Sequence, residues 1–110
     1  MIRKILFKDL HFSDAPKMIV DPPGPRARAL LERQRKFEGR VVLYPLSIPF
    51  VPDESFGAAV RDVDGNVYID FYAGISVVNF GYSNPFIMEV VIKQLKRMVH
   101  TLDFPSRRLL

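Results

Sequence analysis

The chain has 110 residues, 48% of them apolar and 25% charged, which suits one small soluble globular unit and leaves no room for two. It contains no cysteine, so disulfides, thiolate nucleophiles and cysteine-based metal sites are excluded. The net charge of +4 is unevenly spread: residues 1–40 carry ten Lys/Arg against five Asp/Glu, and residues 41–110 carry six against seven. A basic leading segment is compatible with nucleic acid or an acidic partner, but a solvated helix face is the simpler reading.

No apolar run reaches the roughly 18 residues that span a bilayer. Ile5, Leu6 and Phe7 between basic residues form too short a run for a signal-peptide core of about 7–15 residues. Residues 1–15 read as a mobile or added extension, and the cytoplasm is the expected location. Asp21-Pro22-Pro23-Gly24-Pro25 is a stiff, non-helical lead-in. A helix is predicted from Pro25, with Ala27, Leu30, Leu31, Gln34 and Phe37 on one face and Gly39 placed to end it. Val41 to Val51 reads as extended, an edge strand or a surface loop broken by Pro45 and Pro49.

Ala58 to Val63 and Val67 to Phe71 read as the two strands of a hairpin, joined by a tight Asp64-Gly65 turn. Val67, Ile69 and Phe71 alternate onto one face, with Tyr68 and Asp70 on the other. Ala73 to Gly81 then reads as a buried or pocket-lining loop. Asn84 and Pro85 are predicted as N-cap and first residue of a second helix, striped by Ile87, Val91, Leu95, Met98 and Leu102. Glu89 and Lys93 are spaced for an i,i+4 ion pair, and Pro105 is the latest possible end.

Chemistry is sparse. His11 and His100 are the only histidines, so no metal site is expected. Nucleophile-elbow and phosphate-cradling glycine patterns are absent. Asp62, Asp64 and Asp70 are expected to serve turns and strand ends, not paired acid–base catalysis. Phe71, Tyr72, Phe80, Tyr82 and Phe86 are expected in the core. No residue is assigned as catalytic, and the residues themselves imply a small α+β unit that needs a packing partner.

The ordered set Asp62-Val63-Asp64-Gly65-Asn66-Val67-Tyr68-Ile69-Asp70-Phe71, Ala73-Gly74-Ile75, Asn79-Phe80-Gly81 and Pro85 resembles the N-terminal part of class III aminotransferases, pyridoxal-phosphate enzymes of fold type I. Pro22-Pro23-Gly24-Pro25-Arg26-Ala27-Arg28 looks like the archaeal branch holding 4-aminobutyrate aminotransferases and amino-acid racemases. The resemblance runs over residues 16–105. It leaves 1–15 as an extension and 106–110 as the truncated start of the next element. It implies a homodimer that moves an amino group from an amine or amino acid to a 2-oxo acid. It also implies that Ile75, and with it Ala73, Gly74 and Ser76, lines the substrate entrance, core packing being the other reading of Ile75.

Tyr82 and Asn84 stand where relatives carry histidines. The lysine that holds the cofactor, and the rest of its site, belong in this family to a large domain beyond this segment. None of Lys4, Lys8, Lys17, Lys36, Lys93 and Lys96 matches the family's lysine motif. The resemblance therefore implies a fragment, inactive alone and not binding pyridoxal phosphate by itself. A stand-alone module that docks on a full-length aminotransferase or on itself, and a basic nucleic-acid-binding domain, are the alternatives.

Overall fold

The computed structural model describes residues 9–39, 41 and 48–99. Its centre is a three-stranded antiparallel sheet of β1 (Pro52–Phe56), β2 (Ala59–Asp62) and β3 (Val67–Ile69), in that spatial order. Helix α1 (Pro25–Phe37) precedes the sheet; a short turn α2 (Ala73–Ser76) and helix α3 (Pro85–Leu95) follow it. This is the α+β arrangement expected from the residues.

β2 and β3 form the anticipated hairpin, with Ala59 opposite Ile69, Val60 opposite Tyr68 and Arg61 opposite Val67. The connection is longer than a two-residue Asp64-Gly65 turn. The Asp62 N–H donates to the Asn66 carbonyl at 2.9 Å, which leaves Val63-Asp64-Gly65 as the loop, and Gly65 takes a φ of +92°. Three-residue hairpin loops place a left-handed residue last, and glycine adopts it without a steric penalty. β3 ends at Ile69, short of Phe71, because the Asp70 carboxylate turns onto the N–H groups of Tyr72 and Ala73 and the chain leaves the ladder.

β1 is a strand that the sequence reading passes over, since Pro52, Asp53 and Glu54 are weak strand formers. Its position explains it. Proline is tolerated as the first residue of an edge strand, and a register irregularity between Pro52 and Glu54 absorbs Asp53. Gly57, at φ +60°, begins the two-residue link to β2, and a Cβ there would lie 1.7 Å from the Leu10 carbonyl oxygen. The leading segment packs on this corner. Phe12 meets Phe56 at 6.3 Å between ring centroids, and the Arg61 guanidinium lies 4.3 Å from the Phe12 ring centroid. Asp14 and Glu54 both pair with Arg61, so residues 10–14 are attached to the sheet and do not hang free of it.

One buried carboxylate organises the hairpin loop. Asp62 is 2% exposed and Asn66 fully buried. Asp62 Oδ1 accepts from the N–H groups of Asp64 (3.0 Å) and Asn66 (2.8 Å). Its Oδ2 accepts from Asn66 Nδ2 and the Tyr68 hydroxyl, both at 2.9 Å. Four donors saturate a carboxylate. Burial pushes the Asp62 carboxyl up, but the hydrogen bonds from Asn66, Tyr68 and the backbone outweigh it and hold the group below the usual carboxylate range.

The same loop gathers in the segment before α1. Asn66 Oδ1 accepts from the N–H groups of Ile19 (2.6 Å) and Val20 (3.0 Å), and Lys17 pairs with Val67 through both backbone bonds. Asp64 reaches further, accepting from the N–H groups of Arg26 and Ala27 at 2.8 Å each. The aspartates of this loop thus have the structural roles expected of them. Asp64 has one more, as the cap of a helix that begins some forty residues earlier. Gly24, at the formal N-cap position, has no side chain for the task, and a Cβ there would lie 2.4 Å from Asp64 Cγ. Its φ is −68°, so glycine is present for the close approach and not for backbone freedom.

Pro25 opens α1 as predicted. Gly39 does not close it: the helix stops at Glu38, which turns extended at φ −96° and ψ 134°. Asn84 caps α3 as predicted, its Oδ1 accepting from the Phe86 N–H at 3.1 Å while its Nδ2 donates to the Phe80 carbonyl at 2.8 Å. The Glu89–Lys93 pair is not among the ion pairs of the described residues. The 42–47 stretch of the extended reading, together with His100, Leu102 and Pro105, lies outside the described residues.

Among the described residues the buried apolar side chains are Ala59, Val60, Val63 and Val67 of the hairpin and Ala27 in the first turn of α1. α3 buries none of its residues, and its stripe members Ile87, Val91 and Leu95 are 42–50% exposed. The expected aromatic core does not form either. Phe71 and Phe80 are 96% and 74% exposed, Tyr72 and Phe86 are exposed, and only Tyr82 is half-buried, because three short strands have no surface left to cover them. Replacing Asn66 by alanine strips partners from the Ile19 and Val20 N–H groups and from buried Asp62. Urea unfolding of Asn66→Ala should show a loss of roughly 2–3 kcal/mol; an unchanged midpoint would refute the network's role.

Candidate functional site

The residues singled out from the sequence lie on the loop between β3 and α3, and one carboxylate shapes it. Asp70 Oδ1 accepts from the N–H groups of Tyr72 (2.6 Å) and Ala73 (3.1 Å), and its Oδ2 accepts from the Tyr82 hydroxyl at 2.7 Å. Both ends of the loop are therefore held by one side chain. Tyr82 is fixed in turn by a pair of backbone bonds to Gly57, 2.8 and 3.0 Å. Gly81, at φ +88°, lets the two segments meet, since a Cβ there would sit 3.2 Å from the Gly57 Cα. The Tyr82 hydrogen bond, and then the backbone amides, hold the Asp70 carboxyl below its ordinary range; the Tyr82 phenol is pushed up, by that bond first and by burial second.

Between the clamped ends the backbone makes one left-handed turn. Ala73, Gly74, Ile75 and Ser76 have φ values of 51°, 57°, 59° and 61°. Glycine accepts this region freely, whereas each L residue there costs about 1–2 kcal/mol, and a β-branched isoleucine is an outlier. Such strain persists only where the surroundings over-determine it, and it clusters at functional sites. The clamp supplies the surroundings: besides Asp70, the N–H of Val78 donates to the Ala73 carbonyl at 3.1 Å and that of Gly81 to the Val78 carbonyl at 2.8 Å.

Of the two expectations for this loop, buried or pocket-lining, the first fails, because the turn presents Ile75 and Ser76 outward. Ile75 is 72% exposed, as are Val77 (80%) and Phe80 (74%), so Ile75 is no core residue among the described part of the chain. A cavity of about 720 Å³ opens beside the loop, over a floor that includes Phe50, Val60 and Ile69. Gly74 lines it; Ile75 and Ser76 do not. Asp70 and Tyr82 line it as well, and sequence reasoning gave neither a role there. The signal for Asp70 was present: an aspartate two residues before an N–H that must be satisfied at a strand end is an Asx-turn pattern. Nothing local marks Tyr82 as its partner twelve residues later.

Comparison with known proteins decides the family. Residues 45–107 match the family model described as Aminotransferase class-III. The chain belongs to the class III aminotransferase family. Over 87 residues, 79% of this chain, it is 41% identical to the alanine/serine racemase of Pyrococcus horikoshii, of which it covers 18%. It is 32% identical over 85 residues to the 4-aminobutyrate aminotransferase of Mycobacterium bovis, covering 77% of this chain and again 18% of the relative. The crystal structure of acetylornithine aminotransferase from Elizabethkingia anophelis superposes with a TM-score of 0.63 at 30% identity, over 76% of this chain and 21% of that one. The chain thus spans about a fifth of the class III enzymes it matches, and nothing in these comparisons supports a stand-alone interaction module.

Class III aminotransferases work with pyridoxal phosphate, which needs a lysine amine and a cradle for its phosphate. The cavity beside α2 does not fit that group. Among the described residues its charged lining is Asp53, Glu54 and Asp70, without a lysine, arginine or histidine, so a phosphate there would face carboxylates. The described lysines lie elsewhere: Lys17 pairs with Asp14 at 3.6 Å, and Lys36, Lys93 and Lys96 are exposed. No step of the cofactor's chemistry is assigned to these residues. What the loop does electrostatically can be measured directly. In Tyr82→Phe the carboxyl pKa of Asp70, followed by NMR, should rise toward the ordinary value. Because the folded value is depressed, Asp70 stabilises the fold above the unfolded carboxylate pKa of about 3.9 and loses that contribution as pH falls through its folded pKa. Tyr82→Phe should therefore begin to lose the loop at higher pH than the wild type, and an unmoved titration would remove the clamp.

Proposed function

We propose that this chain is the N-terminal portion of an enzyme that transfers an amino group from an amine or amino acid, of the 4-aminobutyrate kind, to a 2-oxo acid. In that enzyme it acts as a cytoplasmic homodimer with pyridoxal phosphate held by other parts of the fold. Residues 16–105 form the family region, 1–15 an extension, and 106–110 the start of the next element. Its own contribution is the left-handed turn, with Ile75, Gly74 and Ser76 lining the substrate entrance. The observation that carries this reading is the strained, doubly clamped turn that keeps Ile75 in the open, since such a conformation has no use in packing these residues against one another. The uncovered stripe of α3 supports it too, because a helix with apolar residues on so wide an arc is stable only when covered. No helix among the described residues is long and apolar enough to cross a membrane.

On this reading the isolated chain lacks the cofactor lysine. Titration with pyridoxal phosphate should give no lysine-dependent visible absorption band, and a stable band abolished by replacing one lysine would overturn the proposal. Light scattering separates it from a self-contained module. A fragment with α3 uncovered should aggregate, whereas a module would form a defined oligomer.

A further inference from the structure

α1 makes no extended contact with β1, β2, β3 or α3. What holds it is the turn between β2 and β3. From Lys17 to Ala27 the chain runs along that turn and is fastened at three places: the Lys17–Val67 backbone pair, the Asn66 Oδ1 acceptor for Ile19 and Val20, and the Asp64 carboxylate on the first turn of α1. Apolar burial contributes little along this path. Met18 and Ile19 are 57% and 59% exposed, and Ala27 is the one apolar residue of α1 that is buried. Farther along α1, Leu30 and Phe37 are 42% and 82% exposed.

Two features make the fastening specific. The Asp64 oxygens divide between the N–H groups of Arg26 and Ala27, so both must be acceptors, and a side-chain amide at this position turns one of them into a donor facing a donor. Gly24 leaves the room that the carboxylate occupies, since a Cβ would overlap the Asp64 side chain at 2.4–2.8 Å. The turn itself needs nothing from α1. Asp62 holds it through Asp64, Asn66 and Tyr68, all within the hairpin. α1 depends on the turn, and the strap in return covers Asn66 Oδ1 and the outer backbone groups of Val67, which meet water when it leaves.

We infer that residues 17–28 are a releasable strap, latched by Asp64 and Asn66 to the completed β2–β3 turn, so that α1 takes its place after the hairpin forms and leaves it while the sheet stays intact. Regions held by few buried apolar contacts open at lower free energy than the sheet they rest on. The groups that meet the latch carboxylate are the Arg26 and Ala27 amides, and the Arg28 guanidinium is bonded instead to the Pro23 carbonyl at 3.2 Å. The two amides leave the attachment polar and sensitive to any change in Asp64.

Native-state hydrogen exchange on the full 110-residue chain, kept at a dilution where it scatters no more light than a monomer, tests this. The N–H groups of Ile19, Val20, Arg26 and Ala27 report the strap; those of Asp62, Val63 and Asp70, bonded to Asn66, Val51 and Ala58, report the sheet. In the wild type the strap should exchange at least about tenfold faster than the sheet. Asp64→Asn should quicken strap exchange by roughly another tenfold, the effect of losing an N-cap, and leave sheet exchange within about twofold. Gly24→Ala should do the same, and the double variant should be no faster than either single one, because both break a single latch. Strap and sheet exchanging together in the wild type, or an additive double variant, would overturn the inference.

Discussion

The hairpin loop and the segment that leads into α1 lean on the satisfaction of one buried carboxylate. Asp62 sits at the end of β2, where the chain must reverse, and an unpaired charge there would be prohibitive. It is tolerated because the loop that follows is shaped to supply its donors: the Asp64 and Asn66 amides, the Asn66 side chain and the Tyr68 hydroxyl. Asn66 is then oriented with its oxygen outward, Asp64 is swung toward α1, and the segment from Lys17 onward finds its acceptors ready. Val63 and Val67 flank the network and provide the small apolar core around it. The order of causes runs from charge to loop, from loop to strap, and from strap to helix.

Asp70 repeats the device on a second loop with a different result. There too an aspartate ends a strand and collects donors, but one donor is the hydroxyl of Tyr82, which is itself stitched to Gly57. The closed circuit β1–β2 corner, Tyr82, Asp70 holds four successive residues in the left-handed region. Asn84 is equally committed, as a cap that also returns a hydrogen bond to Phe80. Tyr82 and Asn84 are both integrated into the loop's architecture by these bonds.

Local chemistry was legible in the residues. The hairpin followed from alternation around a glycine-containing turn, and both helix starts followed from Pro25 and from Asn84-Pro85. Long-range dependence was not. β1 is a strand because β2 offers it an edge, and no reading of Pro52-Asp53-Glu54 by propensity reveals that. The loop's apolar residues suggested burial, yet Ile75, Val77 and Phe80 are exposed, because hydrophobicity tells that a surface must be covered and not by what. Likewise Gly39 looked like a helix stop by type, while the backbone of Glu38 had already turned away. Ile75 could be placed at an entrance only through resemblance; the left-handed turn that displays it is a property of coordinates.

The meeting of Gly24 with Asp64 has a consequence for recognising such chains. Pro-Gly-Pro near the start and Asp-x-Asp-Gly-Asn in the hairpin each recur by chance, and a search for contiguous words treats them as two weak hits. Physically they are the halves of one device: the glycine makes room for the carboxylate, and the carboxylate bonds amides 38 and 37 residues away. Scored as a single split signature, with the spacing left free for insertions before β1, they would pick out short or diverged reading frames that carry this corner of the fold even when no cofactor lysine lies within them.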